Sequence, residues 1–260
     1  MNNKTALITG ASSGIGYELA KIFAKDGYNL VLVARNEQKL NQLKSELSGK
    51  HNITVKVLPK DLSKPHAAEE IFNEVKNESI SIDVLVNNAG FGIFNDYWNT
   101  DYKKEQEMLQ VNIMSLARLT NLFAKDMIKR GDGKILNVAS TAAFQPGPMM
   151  AGYYASKSFV LSYSQAINFE LKKRGVQVST LCPGPTITEF QTRAGMGNIN
   201  LFKKSLTMTA EQVAKIGYKG LMKGKPVIIA GITNKIGAMS SKWSPAKITL
   251  PLVKWLHKKK

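Results

Sequence analysis

The chain has 260 residues, with 36 Lys+Arg against 19 Asp+Glu, a formal charge of +17 and a 43% apolar share. That apolar content is enough for a sizeable core and excludes a disordered chain, and a single cysteine, Cys182, excludes an internal disulfide or a cysteine-rich metal site. No apolar run approaches the roughly 20 residues of a membrane span, and a strand-like run starts too early for a signal peptide; the expectation is a cytoplasmic α/β protein. The charge is uneven: residues 212–260 hold 11 lysines and no acid, leaving +6 for residues 1–211. A uniformly basic chain would suggest nucleic-acid binding. A basic tail on a near-ordinary body asks a narrower question: membrane or nucleic-acid binding rests on the tail and overall charge alone, and no nucleic-acid partner is expected.

Short apolar runs alternate with helical patterns along the chain. Strands are expected at 5–9, 29–34, 54–58, 84–87, 134–139, 176–181 and 227–230, and helices at 15–25, 37–47, 67–77, 103–129, 154–173 and 210–222. The strands are continuously apolar, as a parallel sheet covered on both faces requires. This βαβ alternation predicts a Rossmann-like, doubly wound parallel sheet of about seven strands in a three-layer α/β/α architecture, with ligands at the carboxyl ends of the strands. Residues 1–230 form the expected dinucleotide-binding and catalytic domain, and 231–260 a basic extension of it. The longest irregular stretch, 183–207, is expected to be a lid or substrate loop.

The first strand is followed by Gly10-Ala-Ser12-Ser13-Gly14-Ile15-Gly16, directly before a helix. Glycines there let the backbone approach a pyrophosphate seated at the helix N-terminus. At the end of the second strand an acid would bind the ribose hydroxyls of NAD, but Arg35 follows Ala34 and no acid stands at 34–36. An arginine there suits the 2′-phosphate of NADP, with Lys39 one turn further on to assist. The fourth, fifth and sixth strands end in Asn88-Ala89-Gly90, Ser140 and Pro183-Gly184. Tyr153 and Lys157 are four apart on a predicted helix and share a face.

A carbonyl reduction needs a hydride donor and an acid that protonates the developing alkoxide. Free tyrosine, with a pKa of about 10, is poorly matched to this. A lysine cation about 4 Å away contributes at most ~4 kcal/mol at an effective dielectric near 20, or about three pKa units, with desolvation opposing it. Tyr154, one residue round the helix, is expected to pack elsewhere.

Taken together, Thr9-Gly10-x-x-x-Gly14-x-Gly16, Asn87-Asn88-Ala89-Gly90, Asn112, Ser140 and Tyr153-x-x-x-Lys157 resemble the short-chain dehydrogenase/reductase family, in order and at the family's spacings, over residues 4 to about 230. The resemblance implies a catalytic set of Ser140, Tyr153, Lys157 and Asn112. Lys157 would also bond the nicotinamide ribose, Ser140 orient the substrate oxygen, and Asn112 hold a water. It further implies that Asp61, followed by Leu62, contacts the adenine and that Thr186 and Thr188 contact the cofactor carboxamide or phosphates. A homodimer or homotetramer pairing the two long helices is implied as well. The leading expectation is an NADP(H)-dependent oxidoreductase interconverting a hydrophobic ketone or aldehyde and its alcohol. The alternatives are a 3-oxoacyl-thioester reductase and a non-catalytic NADP-binding regulator.

The expected pocket residues are Phe91, Ile93, Phe94, Phe144, Met149, Met150, Phe190, Met196, Leu201 and Phe202. Cys182 reads as packing, and His51, His66 and His257, which lack ligand spacing, as surface residues; no metal is expected. In the tail, Ser244-Pro245 reads as a helix start and Pro251 as a kink dividing it into two short pieces. Ile248, Leu252, Trp255 and Leu256 would share an apolar face that packs on the domain or its dimer mate, while the lysines are solvated or touch an anionic membrane weakly.

Overall fold

The computed structural model describes residues 4–197, 199 and 207–258, except the side chain of Lys242. Its main sheet contains β1 (Thr5–Thr9), β2 (Asn29–Ala34), β3 (Val55–Pro59), β4 (Val84–Asn87), β5 (Gly133–Val138), β6 (Val176–Cys182) and β9 (Val227–Ile229), all parallel, in the order β3-β2-β1-β4-β5-β6-β9. A one-residue step along a strand reverses the face that a side chain meets. Ala6 and Ile8 of β1 therefore face one apolar layer while Leu7 faces the other, and Leu30/Leu32 and Val31/Val33 of β2 divide the same way. Both faces need cover, and helices supply it.

On one side lie α1 (Gly14–Lys25), α2 (Glu37–Lys50) and α8 (Ala210–Met222), which bring Leu19, Phe23, Leu43 and Val213 to the sheet. On the other lie α3 (Ala67–Asn77) and α5 (Leu116–Arg130), with Ile71, Leu119 and Phe123. Continuing the chain past β3 on the other side of β1 creates a crevice between the ends of β1 and β4, the usual ligand position in such sheets.

Four local expectations are corrected. The helix expected at 103–129 is divided: α4 (Tyr102–Leu109) passes through a wide π-helical turn, Gln110–Ser115, before α5. The helix expected to start at 154 begins earlier, as α6 (Ala151–Lys172). Within the stretch expected to be irregular, Thr186–Ile187 (β7) pairs in parallel with Met208–Thr209 (β8), and Phe190–Arg193 forms the short α7. The tail carries an unexpected helix, α9 (Ile232–Trp243), and then α10 (Ala246–Leu256), which runs through Pro251 as one helix. Proline removes one backbone donor from a helix interior, and here the helix continues around it.

Candidate active site

Thr9 fastens the crevice. Its hydroxyl accepts from the backbone N–H groups of Asn88 and Ala89, both at 3.0 Å, and donates to the Val86 carbonyl at 3.3 Å. The Asn88 amide donates back to the carbonyls of Thr9 (3.0 Å) and Gly10 (3.2 Å). The loop after β1 and the loop after β4 are thus one hydrogen-bonded unit. Gly10 has φ +66°, and a Cβ there would lie 2.8 Å from the Asn88 amide nitrogen and 2.9 Å from Ala89 Cα; only glycine fits. Gly14 also has positive φ, and Thr188 sits against it. Ser13 caps α1 through its backbone alone, and the first turn of α1 carries no acid. Its backbone N–H groups and positive dipole end therefore suit an anion.

From this loop a cavity of about 1100 Å³ runs across the sheet edge, lined by Gly10, Ser12, Ser13, Gly14 and Ile15, then Arg35, Asp61 and Leu62, and then Asn88, Ala89 and Gly90. Ser140, Tyr153, Lys157, Pro183, Gly184, Thr186 and Thr188 complete the wall. Gly16 and Asn112 stand behind it: Gly16 packs on Asn88 and Gly10, where a side chain would clash. Arg35 makes no ion pair among the described residues, whereas Lys39, expected to assist it, pairs with Glu189 at 2.8 Å. Asp61 accepts from the Ser63 backbone N–H at 3.0 Å and so shapes its own turn. Thr186 bonds the Gly184 carbonyl at 2.9 Å and Thr188 accepts from the Phe190 backbone at 3.2 Å, folding the segment after β6 over the glycine loop.

The π-helical turn presents Asn112, fully buried. Its amide accepts from the Phe91 N–H (3.2 Å) and donates to the Phe91 carbonyl and to the Ser156 hydroxyl, both 3.0 Å. Those bonds hold the Gly90–Phe91 segment against α6. A Cβ at Gly90 would come 2.9 Å from Asn112 Oδ1 and 3.3 Å from Lys157 Nζ, so the glycine makes room for both. Lys157 is buried; its ammonium donates to the Val138 carbonyl at 2.9 Å and lies 5.7 Å from the Tyr153 ring centre. Burial brings its pKa down to about 8. Ser140 follows β5, accepts from the Ala142 N–H at 3.1 Å and donates to the Pro183 carbonyl at 3.4 Å. Desolvation pushes Tyr153 up to about 12, opposed by its hydrogen bond to Ser140. Desolvation, expected to oppose the Lys157 cation, is the dominant influence on Tyr153 in this enclosure.

Phe91, Ile93, Met150, Phe190 and Met196 line the cavity as expected. Phe94 and Met149 pack in the cluster beside it, and Phe144 sits instead with Ala139, Val160 and Leu161. Leu201 and Phe202 lie outside the described residues. Gly92 was not anticipated, yet a Cβ there would lie 2.8–3.3 Å from Met150, Phe190 and Tyr153. Cys182 is buried, as its packing role requires.

His257 corrects another expectation, since it is 1% exposed. Its Nδ1 lies 2.8 Å from the Pro148 carbonyl, which can only accept, so that nitrogen carries the proton. Nε2 then accepts from the Tyr154 hydroxyl at 3.1 Å. The Tyr154 ring meets Tyr153 edge-on at 6.2 Å and lines the cavity, but its hydroxyl is committed to His257 and so anchors α10, whose Leu256 also lines the cavity. Burial lowers the His257 pKa below its ordinary 6.5. The fold thus prefers the neutral ring: its contribution is intact above pH 6.5 and is lost as pH falls from there towards the depressed folded value. Hydrogen-exchange protection across α10, measured against the intrinsic exchange rate at each pH, is expected to fall over that acidic range, and His257→Ala to lower it at neutral pH by removing about 1–3 kcal/mol. Unchanged protection in the variant at neutral pH would mean that the latch does not hold the helix.

A cleft at the switch point of a parallel sheet, with a glycine cradle at one end and Ser140, Tyr153 and Lys157 at the other, is the arrangement of a Rossmann-type nucleotide-binding fold. Residues 4–198 match the short chain dehydrogenase family, and the chain belongs to it. A very-long-chain 3-oxoacyl-CoA reductase from Anas platyrhynchos is 35% identical over 185 residues, covering 68% of this chain and 58% of that protein. The chain thus spans little more than half of that relative's length. Among solved structures, a short-chain dehydrogenase from Sphingobium yanoikuyae in complex with NADPH is 31% identical, with a TM-score of 0.83 over 91% of this chain and 92% of that one. The bulky-bulky ketone specific alcohol dehydrogenase from Comamonas testosteroni is 29% identical, with a TM-score of 0.79 over 96% of this chain and all of that one.

Proposed function

We propose that this protein interconverts a hydrophobic ketone or aldehyde and its alcohol, with NADP(H) as cofactor and Tyr153 as general acid/base. The observation that carries this reading is the position of Ser140, Tyr153 and Lys157 in one cavity with the glycine loop and Arg35. The cradle fits a dinucleotide, because its glycines are those that a Cβ would force apart. When bound, the nicotinamide cofactor supplies or accepts the hydride. Gly10, Ser12, Ser13, Gly14 and Ile15 hold its pyrophosphate at the N-terminus of α1, with Gly16 shaping the loop, and Arg35 pairs with the 2′-phosphate. Asp61 and Leu62 flank the adenine, Asn88, Ala89 and Gly90 the ribose, and Pro183, Gly184, Thr186 and Thr188 the nicotinamide end. Ser140 orients the substrate oxygen, Tyr153 passes a proton to it, and Lys157 bonds the ribose and supports the charge on Tyr153. Asn112 positions the Gly90–Phe91 segment and holds a water beside Lys157.

Apolar walls from Phe91, Ile93, Met150, Phe190 and Met196 favour an apolar carbonyl, in keeping with the Comamonas testosteroni enzyme's ketone specificity. A 3-oxoacyl thioester is the second reading, supported by the name of the Anas platyrhynchos relative. Exposed Phe159 and Phe169 on α6 suit a two-fold homodimer. Following NADPH and NADH oxidation against bulky ketones, aldehydes and 3-oxoacyl thioesters tests the whole reading, with light scattering for the dimer. NADPH consumption is expected with bulky ketones; none with any carbonyl would leave only a binding protein.

A further inference from the structure

The two C-terminal helices present their apolar residues outward. Of the fifteen large apolar side chains exposed among the described residues, eight lie between Ile232 and Trp255. On α9, Ile232, Ile236 and Trp243 recur at spacings of four and seven, one helical stripe, with Ile232 73% and Trp243 80% exposed. On α10 the stripe Ile248, Leu252 and Trp255 faces solvent, while Thr249, Val253 and His257 turn inward. Ile248, Leu252 and Trp255 thus remain more than half exposed rather than buried on their own domain; of that expected face only Leu256 reaches the cavity.

Lysines accompany both stripes. Residues 231–260 contain seven lysines and no acid, and Lys235, Lys247, Lys254 and Lys258 make no ion pair among the described residues. A second copy of this chain is a poor cover for such a face, because the other 230 residues carry the remaining +10 of the +17. Nucleic acid would meet the lysines but leave the indole and aliphatic groups without a partner. An anionic bilayer meets both, taking apolar stripes and tryptophans at headgroup depth and lysines at its phosphates.

We propose that α9 and α10 form an in-plane docking surface for an anionic membrane. No helix among the described residues is long and apolar enough to cross a membrane, so the contact is peripheral. The inner face of α10 walls the cavity through Leu256. Docking would therefore hold the cavity about one helix diameter, ~10 Å, from the lipid, where an apolar substrate is concentrated. The surface itself does not depend on which reaction the cavity performs.

The test is co-sedimentation of the full chain with vesicles of phosphatidylcholine alone or mixed with phosphatidylglycerol. Surface substitutions are preferable to truncation, because removing α10 would also open the cavity. The intact protein is expected to pellet with the anionic vesicles only and to be released by high salt. Lys235→Gln, Lys247→Gln and Lys254→Gln should each weaken partitioning about fivefold, and Ile236→Ser and Trp243→Ser about tenfold each. Unchanged far-ultraviolet dichroism and NADPH binding would show that these variants remain folded. Protein that stays in the supernatant with both vesicles, or binds both equally, would overturn the proposal. So would apolar variants that bind anionic vesicles like wild type, or that only change the oligomeric mass.

Discussion

Tyr153→Phe is expected to bind NADPH as the native protein does and to lose turnover by roughly 10²–10⁴-fold, the usual worth of a positioned general acid. The ring, with its neighbours Phe190 at 5.3 Å and Tyr154 at 6.2 Å, remains in place, so only the proton donor is removed. Lys157→Met should lose more, because the ammonium faces both the Val138 carbonyl and the Tyr153 ring. The two groups also set a pH profile. Tyr153, pushed up to about 12, stays protonated and able to donate through the neutral range, while Lys157, brought down to about 8, loses its charge above that pH. Carbonyl reduction is therefore expected to decline as pH rises through about 8. Stopped-flow NADPH oxidation, with cofactor affinity measured separately by fluorescence, checks both points. Substantial turnover by Tyr153→Phe would remove Tyr153 from the reaction. Tyr154 cannot simply replace it, because its hydroxyl already donates to His257.

The sheet was legible because its order is written in local pattern: continuous apolar runs for strands buried on both faces, amphipathic runs for the helices between. The glycine loop and the Tyr153/Lys157 pair were legible because their function depends on spacing along one element. What stayed hidden depends on distant contacts. The π-helical turn at Gln110–Ser115 has no signature in propensity, and shows only when Asn112 is seen reaching Phe91 and Ser156. Gly92 reads as an ordinary loop glycine until Met150, Phe190 and Tyr153 converge on it. In α10, apolar residues occupy more than one face, so periodicity alone cannot say which side packs. His257 decides it by finding the Pro148 carbonyl and the Tyr154 hydroxyl more than 100 positions away.

Arg35→Asp is expected to reverse the cofactor preference. In the folded chain Arg35 stands on the cavity wall at the end of β2 without an ion-pair partner among the described residues, while the nearby Lys39 is held by Glu189, which also binds Arg193 at 2.5 Å. The burden of recognising a 2′-phosphate thus falls on one guanidinium. Its charge-assisted contact contributes about 1.5–3 kcal/mol, roughly tenfold to a hundredfold in affinity for NADPH over NADH. Placing a carboxylate at that position does two things at once: it repels the phosphate and offers an acceptor to the ribose hydroxyls of NADH. NADPH affinity should therefore fall by at least the factor that Arg35 contributes, while NADH affinity rises. Glu189→Gln makes a useful companion, since releasing Lys39 from its ion pair leaves a second cation beside Arg35 and should strengthen NADPH binding a few-fold. Titration of both cofactors against native protein, Arg35→Asp and Glu189→Gln measures the preference directly. Native protein that binds NADH as tightly as NADPH would refute the role of Arg35, whatever the variants do.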